Sequence, residues 1–268
     1  MRARIFPRRA RGAADTPAPM PDFRVHCAPP PAGVTEITLS PAETHHLVTV
    51  NRARIGAPVV AFDGGGAEWI CELAADRRQG AVLRVVSSRR HPALPCAITL
   101  AQALPKGAAM DGIVRKATEI GAARIVPLET ERTQVHLEGE RSEGKVEKWR
   151  TAALEAAKQC GNPFLPEITP VQKLESCLAA AGQDLKLVAS LHSGAQSLKA
   201  VLAARKAAGL GAPRTAIWMI GPEGDFSPAE ITRVTAAGFE PVTLGPLTLR
   251  CETAAVCALA ILRHELTA

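Results

Sequence analysis

The sequence has few aromatic residues and no long apolar run. Among its 268 residues there is no Tyr, and Phe and Trp make up only 3%. This scarcity argues against a platform of aromatic side chains that would stack on nucleic-acid bases. No apolar run approaches the roughly 18 residues that a helix needs to cross a bilayer, so the sequence predicts no membrane-spanning segment.

The cysteines fit neither a disulfide scaffold nor a metal centre. There are seven of them, an odd number, and no Cys-x-x-Cys pair occurs. That pattern indicates reduced thiols in a cytoplasmic protein, not a stapled fold or a zinc ribbon. The neighbouring His45 and His46 point in different directions on any regular element and have no third ligand close in sequence. We therefore predict no metal site.

The basic excess is concentrated at the N-terminus. Residues 1–19 contain five Arg and one Asp, which accounts for +4 of the net charge of +6. This head lacks the apolar core of a secretory signal, and we interpret it as a disordered tail or the product of an upstream start, with a functional basic arm as the alternative. The rest of the chain carries +2, so charge alone does not predict a nucleic-acid partner.

Residues 20–92 are predicted to form a small β-barrel. Asp63 to Gly66 has the composition of a hairpin turn. Ser40, Pro41 and Glu43 predict the start of a short helix with a capping box. Residues 87–95 are predicted to be a linker. The β-like runs lie at 36–39, 58–62, 68–73 and 80–86.

Residues 93–268 alternate between strand and helix patterns, which predicts an α/β domain with a mainly parallel sheet. Ligands of such sheets bind beyond the carboxyl ends of the strands. Strands are predicted at 96–103, 124–128, 185–190, 215–220 and 241–244. Helices are predicted up to about 120 and at 142–160, 197–208, 228–237 and 253–266.

Two loops at predicted strand ends carry most of the functional information. The first joins Ile220 to a capping box at Ser227, and its Gly221 and Gly224 let the backbone approach a ligand closely. It is neither a P-loop nor a GxGxxG fingerprint, and alone it could be an ordinary strand–helix turn. The second loop, 244–254, adds apolar residues, so that together they predict a cleft suited to a purine ring. Arg250 and Glu252 stand at its rim, where a solvated surface pair is the alternative.

These loops, GPEGDFSPAE and LGPLTLRCETA, resemble the signature loops of the SPOUT RNA methyltransferases. The resemblance is strongest to the bacterial 16S ribosomal RNA (uracil-N3)-methyltransferase family, RsmE. It extends over nearly everything from residue 20 onward. The other matching motifs, in order, are His45–Val48, Ile55–Gly56, Ala101–Gly107, Lys116–Gly121, Pro127–Leu128, Glu131–Arg132 and Trp149–Gly161.

The resemblance implies a specific architecture and reaction. Residues 20–92 would be a PUA-like RNA-binding barrel, and residues 93–268 a SPOUT domain with its C-terminal chain tucked into a trefoil knot. The family acts as a homodimer that uses S-adenosylmethionine to methylate N3 of a uridine in 16S rRNA of the small ribosomal subunit. The residues implied to bind the cofactor are Leu191, His192, Ile220, Gly221, Pro222, Glu223, Gly224, Leu244, Gly245, Leu249 and Thr253.

Candidate roles follow for the charged residues. Arg250 would stabilise the uracil anion, with Arg132 contributing from a partner subunit. Glu252 or Glu223 would accept the N3 proton. Alternative roles for these residues are capping the last helix or holding the first of the two loops, which follows Ile220 and is called the Gly-rich loop below. RNA contacts are predicted at Arg24, Arg52, Arg54 and Lys106, and further candidates are Arg77, Arg78, Arg89 and Arg90.

Several positions depart from the family pattern. Asn162 and Leu247 stand where the family commonly has Arg, which would remove cationic contacts to RNA. Asn51 replaces a usual Leu, and Asp225 replaces a usual Gly. Two other functions stay open: a different SPOUT methylation, at a ribose 2′-O or at guanine N1 of tRNA, and a non-catalytic RNA-binding assembly factor.

Overall fold

A computed structural model describes residues 23–77, 80–135, 137–191 and 194–267. The predicted head at 1–19 lies outside these ranges, as do Arg78 and His192. The chain forms two sheets, one before and one after residue 92, and each has its own apolar core.

The N-terminal sheet has five strands in the order β1-β3-β4-β5-β2. β1 pairs with β3 in parallel, and the other pairs are antiparallel. The turn predicted at Asp63 joins β3 to β4, and Asp63 Oδ1 fixes it by accepting hydrogen bonds from Gly65 N at 2.7 Å and Ala67 N at 3.0 Å. The strands are β1 Phe23–His26, β2 Glu36–Thr38, β3 Pro58–Phe62, β4 Ala67–Arg77 and β5 Gly80–Arg90.

The short helix after β2 has only half of its predicted capping box. Helix α1, Pro41–Thr44, continues into a π-helical turn, His45–Val50. Ser40 Oγ accepts from Glu43 N at 3.2 Å as predicted. The Glu43 carboxylate does not return the bond, because it accepts from His26 N at 3.1 Å and from Lys158 Nζ at 2.6 Å.

The linker predicted at 87–95 is wrong in its first part. β5 continues to Arg90 and pairs with β4 as far as Ala67. Two polar residues of this stretch, Arg89 and His91, are paired with the carboxylate of Glu68. Polar residues that pair across a hairpin are indistinguishable from a linker in composition alone.

The second sheet is parallel throughout, with the order β12-β10-β11-β6-β7-β8 and with β9 pairing to β7. The predicted alternation of strands and helices is confirmed. The short β8, β9 and α4 were not predicted. The strands are β6 Ala97–Ala103, β7 Arg124–Glu129, β8 Glu167–Ile168, β9 Gln172–Lys173, β10 Leu185–Ala189, β11 Thr215–Ile220 and β12 Glu240–Val242. The helices are α2 Ala109–Ile120, α3 Gly139–Cys160, α4 Leu174–Ala180, α5 Leu198–Ala207, α6 Pro228–Ala236 and α7 Cys251–Thr267.

Strand β12 is hydrogen-bonded along both edges by one stretch of chain. On one edge it pairs with β10, and Ser190 N donates to Val242 O at 3.0 Å. On the other edge, Gln196 N donates to Pro241 O at 3.0 Å and Thr243 N donates to Gln196 O at 2.9 Å. The chain that follows β12 therefore leaves between these segments and returns to the centre of the sheet, where α7 packs on β6 and β11.

The two sheets are joined by buried polar contacts and by the end of α3. Lys158 and Glu43 form an ion pair whose side chains are 9% and 10% exposed. After α3, Asn162 Nδ2 donates to Thr118 O at 3.0 Å and its Oδ1 accepts from Phe164 N at 3.0 Å. This holds the segment that bridges to Gly65. Asn162, one of the departures from the family pattern, is thus a residue of the junction between the sheets.

We predict that Lys158→Met lowers the free energy of unfolding by roughly 3 kcal/mol, because it leaves Glu43 as an uncompensated buried charge. The measurement is urea unfolding followed by circular dichroism. Lys116→Met, which removes a half-exposed pair with Glu119, is the matched control and should cost no more than about 0.5 kcal/mol. Equal effects of the two substitutions would contradict the structural role of the Lys158 pair.

Candidate active site

A cavity of about 290 Å³ lies beyond the carboxyl ends of β10, β11 and β12. This is the position expected for the ligand of a parallel sheet. The loops that follow the three strands form its walls. The path of the chain after β12 brings these loops together. The predicted cofactor residues that line it are Leu191, Ile220, Gly221, Pro222, Glu223, Leu244 and Leu249.

Not every predicted cofactor residue reaches the cavity. Gly224 and Gly245 are exposed in its loops and Thr253 is exposed in the first turn of α7, but none of them lines the cavity, and His192 lies outside the described residues. Sequence reasoning missed Asp225 and Cys251, which do line the cavity. Both stand inside the two loop motifs that were singled out, so their position in the loops was the available signal.

The Gly-rich loop folds so tightly that Gly221 has no room for a side chain. A Cβ atom there would stand 2.8 Å from Asp225 Oδ1 and 3.2 Å from Asp225 Cα. Asp225 has φ of 57°, and its N–H donates to Pro222 O at 2.9 Å, which closes the turn. Asp225 Oδ1 accepts from Phe226 N at 2.8 Å. The loop conformation therefore places a carboxylate directly over the Gly221 backbone.

Glu230 anchors the far end of this loop. The capping box predicted with Ser227 is confirmed: Glu230 N donates to Ser227 Oγ at 3.2 Å, and Ser227 N donates to Glu230 Oε2 at 2.8 Å. Its second oxygen accepts from Glu131 N at 2.8 Å. Glu230 is 1% exposed, so these bonds satisfy a buried carboxylate and tie the loop to the end of β7.

Two further contacts hold the middle of the loop. Arg132 Nη1 donates to Gly224 O at 2.7 Å, and Lys106 N donates to Glu223 Oε1 at 2.9 Å. Arg132 was predicted to contribute from a partner subunit, and here it binds the loop of its own chain. Gly224 and Lys106 thus take part in positioning the loop.

Arg250 is an exposed residue on the cavity wall, immediately before α7. Glu252 does not line the cavity, and its Oε2 lies 3.4 Å from Cys251 Sγ. Burial raises the pKa of the Cys251 thiol to about 12, together with the hydrogen bond to Glu252 and the negative charges of Glu223 and Glu252. Cys251 is therefore a neutral thiol at physiological pH and not a nucleophile.

The predicted RNA contacts differ in their exposure. Arg52, Arg54 and Lys106 are exposed, as are Arg77, Arg89 and Arg90. Arg24 is not: it is 9% exposed, pairs with the buried Glu68 at 2.7 Å and lies over the Phe62 ring at 4.8 Å. This burial argues against the predicted RNA contact of Arg24 and makes it a core residue of the N-terminal sheet.

The described residues contain neither a metal-ligand cluster nor a membrane-spanning helix. No group of three or more His, Cys, Asp or Glu side chains in that part of the chain could hold a metal ion. Within the same residues, no helix is long and apolar enough to cross a membrane.

Comparison with known proteins identifies the family. A family model described as an RNA methyltransferase domain matches residues 92–263, and one described as an RNA methyltransferase PUA domain matches residues 39–86. The Ribosomal RNA small subunit methyltransferase E of Synechocystis is 34% identical over 240 residues, which cover 89% of this chain and 76% of that protein. The chain belongs to this RNA methyltransferase family. The Bacillus subtilis enzyme of the same name is 28% identical, over 83% of this chain and 88% of its own length.

Solved structures of family members agree with the fold. A methyltransferase from Legionella pneumophila, in complex with S-adenosylmethionine, is 30% identical with a TM-score of 0.81, and covers 91% of this chain and 97% of its own. A Ribosomal RNA small subunit methyltransferase E from Neisseria gonorrhoeae, bound to S-adenosyl methionine, is 26% identical with a TM-score of 0.79, over 92% and 98%. The predicted fold class, a SPOUT α/β domain preceded by a PUA-like domain, is confirmed. The double-edged pairing of β12 accords with the trefoil knot that the resemblance implies.

We predict that Gly221→Ala weakens S-adenosylmethionine binding at least tenfold, since the added Cβ collides with Asp225 and must displace the loop. Isothermal titration calorimetry measures the effect. Gly112→Ala is the control, because a Cβ at Gly112 in α2 meets nothing within 4 Å. Unchanged affinity in the Gly221 variant would show that the loop conformation does not govern binding.

Proposed function

We propose that the protein transfers a methyl group from S-adenosylmethionine to N3 of a uridine in 16S rRNA of the small ribosomal subunit, in the cytoplasm. The observation that carries this proposal is the cavity formed by the Gly-rich loop and the 244–254 loop, with Arg250 on its wall. The names of the relatives support the ribosomal substrate.

The residues of the cavity fit S-adenosylmethionine. The volume of about 290 Å³ is close to the lower end of ligand pockets and suits a nucleoside with a short arm. Ile220, Pro222, Leu244 and Leu249 offer apolar surface to the purine, and Gly221 exposes backbone groups for its polar edge. S-adenosylmethionine supplies a methyl group that is already activated by its sulfonium charge.

The acceptor base, uracil, must lose a proton before it can accept the methyl group. N3 of uracil carries a proton and is a poor nucleophile until that proton leaves. A fixed cation beside the carbonyl oxygens stabilises the resulting anion. Arg250 is exposed on the cavity wall, so an incoming base can reach its guanidinium group.

Of the two carboxylates considered as proton acceptors, Glu223 has the better position. It lines the cavity, and its Oε1 is held by Lys106 N at 2.9 Å, while no described residue bonds its Oε2, which can therefore face a substrate. Glu252 stands off the cavity wall beside the Cys251 thiol, in the first turn of α7, where an acidic residue favours the helix N-terminus. We infer that Glu223 accepts the proton and that Glu252 stabilises α7.

RNA binding rests on a small number of exposed cations. The target base must be unstacked to enter the cavity. Arg52 and Arg54 on the N-terminal domain are exposed, as is Lys106 beside the Gly-rich loop, and this exposure supports their role as phosphate contacts. We propose that residues 20–92 bind the RNA and that residues 93–268 carry out catalysis. We also propose a homodimer, in which the RNA-binding surface of one subunit serves its own cavity or that of its partner.

The identity of the product tests the function. Small subunits from a strain that lacks the family enzyme are incubated with the protein and S-adenosylmethionine, and the nucleosides are analysed by mass spectrometry. We expect 3-methyluridine. A 2′-O-methylated nucleoside or 1-methylguanosine would establish a different SPOUT reaction, and an absence of cofactor binding would favour an assembly factor.

We predict that Arg250→Ala lowers the turnover number about 100-fold or more, while the dissociation constant for S-adenosylmethionine changes less than about threefold. Single-turnover methylation and calorimetry measure the two quantities. Arg214→Ala, an exposed Arg before β11, is the control and should keep full activity. Full activity of the Arg250 variant would remove this residue from the mechanism.

We predict that Glu223→Gln lowers turnover about 100-fold or more, because general-base catalysis is lost while the bond to Lys106 N can persist. Raising the pH should restore part of the rate, since solvent then removes the N3 proton. Glu252→Gln is the matched control and should keep most of the activity. A larger loss in the Glu252 variant, with pH rescue, would assign the base to Glu252 instead.

A further inference from the structure

Asp225 stands in the cavity wall in an unusual backbone conformation. Its φ of 57° lies in the left-handed region, which Asp tolerates better than most residues with a side chain. The residue lines the cavity and is half-buried. A Gly would serve the turn without strain, so the backbone alone gives no reason for a carboxylate here.

The Asp225 carboxylate has one oxygen engaged and one available. Oδ1 accepts from Phe226 N at 2.8 Å and lies 2.8 Å from the position that a Cβ of Gly221 would take. In the part of the chain that the structure describes, Oδ2 has no hydrogen bond or ion pair. The missing side chain at Gly221 thus makes the space that lets a negative charge lie at the cavity wall.

The charged side chains that line the cavity are more often negative than positive. Among its described lining residues the carboxylates are Glu223 and Asp225, and the one cation is Arg250. A wall with more carboxylates than cations favours a positively charged ligand over a neutral one of the same shape.

Methyl transfer changes the charge of the ligand by one unit. The sulfonium S–CH3 bond breaks, the sulfur keeps the electron pair and becomes a neutral thioether, and an N3–CH3 bond forms while the N3 proton leaves to a base. The methyl donor and the product, S-adenosylhomocysteine, therefore differ by one positive charge and one methyl group. A carboxylate in the wall distinguishes them without any contact to the methyl group itself.

We propose that Asp225 is a specificity-determining residue that makes the cavity prefer the sulfonium methyl donor over the neutral thioether product. The inference rests on the proposed function and deepens it. Its consequence is that the product loses an attractive interaction when the methyl group has moved, so the product is displaced by fresh donor. The magnitude expected for a partly exposed charge pair is roughly a two- to fivefold preference.

The test compares two ligands across matched variants. Calorimetry gives the dissociation constants of S-adenosylmethionine and S-adenosylhomocysteine for the unchanged protein, Asp225→Asn, Asp225→Gly and Glu240→Gln. Asn keeps an oxygen for Phe226 N, Gly relieves the positive φ, and Glu240 is an exposed carboxylate at the amino end of β12 that does not line the cavity. We expect both Asp225 variants to bind S-adenosylmethionine two- to fivefold more weakly and S-adenosylhomocysteine unchanged, so that the preference for the donor is lost. The Glu240 variant should keep the preference.

Salt provides a second measurement on the same proteins. The preference should decline with ionic strength in the unchanged protein and depend on it less in the Asp225 variants, which keep only the charges of Glu223 and Arg250 in the lining. A ratio of the two dissociation constants that is the same in all four proteins would overturn the inference. So would an equal loss for both ligands, which indicates a structural role for Asp225. If the unchanged protein binds neither ligand, the proposed function itself fails.

Discussion

The hydrogen bonding of β12 along both edges is the constraint on which the active site depends. β10 holds one edge and Gln196 the other, and the chain that follows must leave between them. Because of that path, the 244–250 segment lies beside the loops that follow β10 and β11. An ordinary parallel sheet presents loops at its carboxyl edge, but here the last loop is confined by the chain around it. A confined backbone costs little to order when a ligand binds, and such preorganisation favours affinity.

Further hydrogen bonds fix the position of the Gly-rich loop relative to the neighbouring strands. Glu230 accepts hydrogen bonds from Ser227 N at the end of the loop and from Glu131 N after β7. Arg132 donates to Gly224 O, and Lys106 N donates to the Glu223 carboxylate. These bonds come from the ends of β6 and β7, so the neighbouring strands of the sheet position the loop. The cavity is therefore a property of the whole sheet edge and not of the two motifs alone.

Much of this arrangement could be predicted from residues. The strand at 215–220, the capping box at Ser227 and the seven lining residues named beforehand followed from the loop motifs and the resemblance. Contacts over long sequence distance could not be predicted. Nothing local indicates that Arg24 pairs with Glu68 inside the first sheet, or that Glu43 turns from its own helix to Lys158 of α3. The extension of β5 to Arg90 could not be predicted either, because the partner of Arg89 is Glu68 on the neighbouring strand.

We propose that the three loops form one methyl-donor site, with Arg250 at the position of the acceptor base. A crystal structure of the protein with S-adenosylmethionine tests this most directly. We expect the adenosine to lie between Ile220 and Leu249, with the methyl group directed toward Arg250. Density for the ligand outside this cavity, or a methyl group directed away from Arg250, would contradict it.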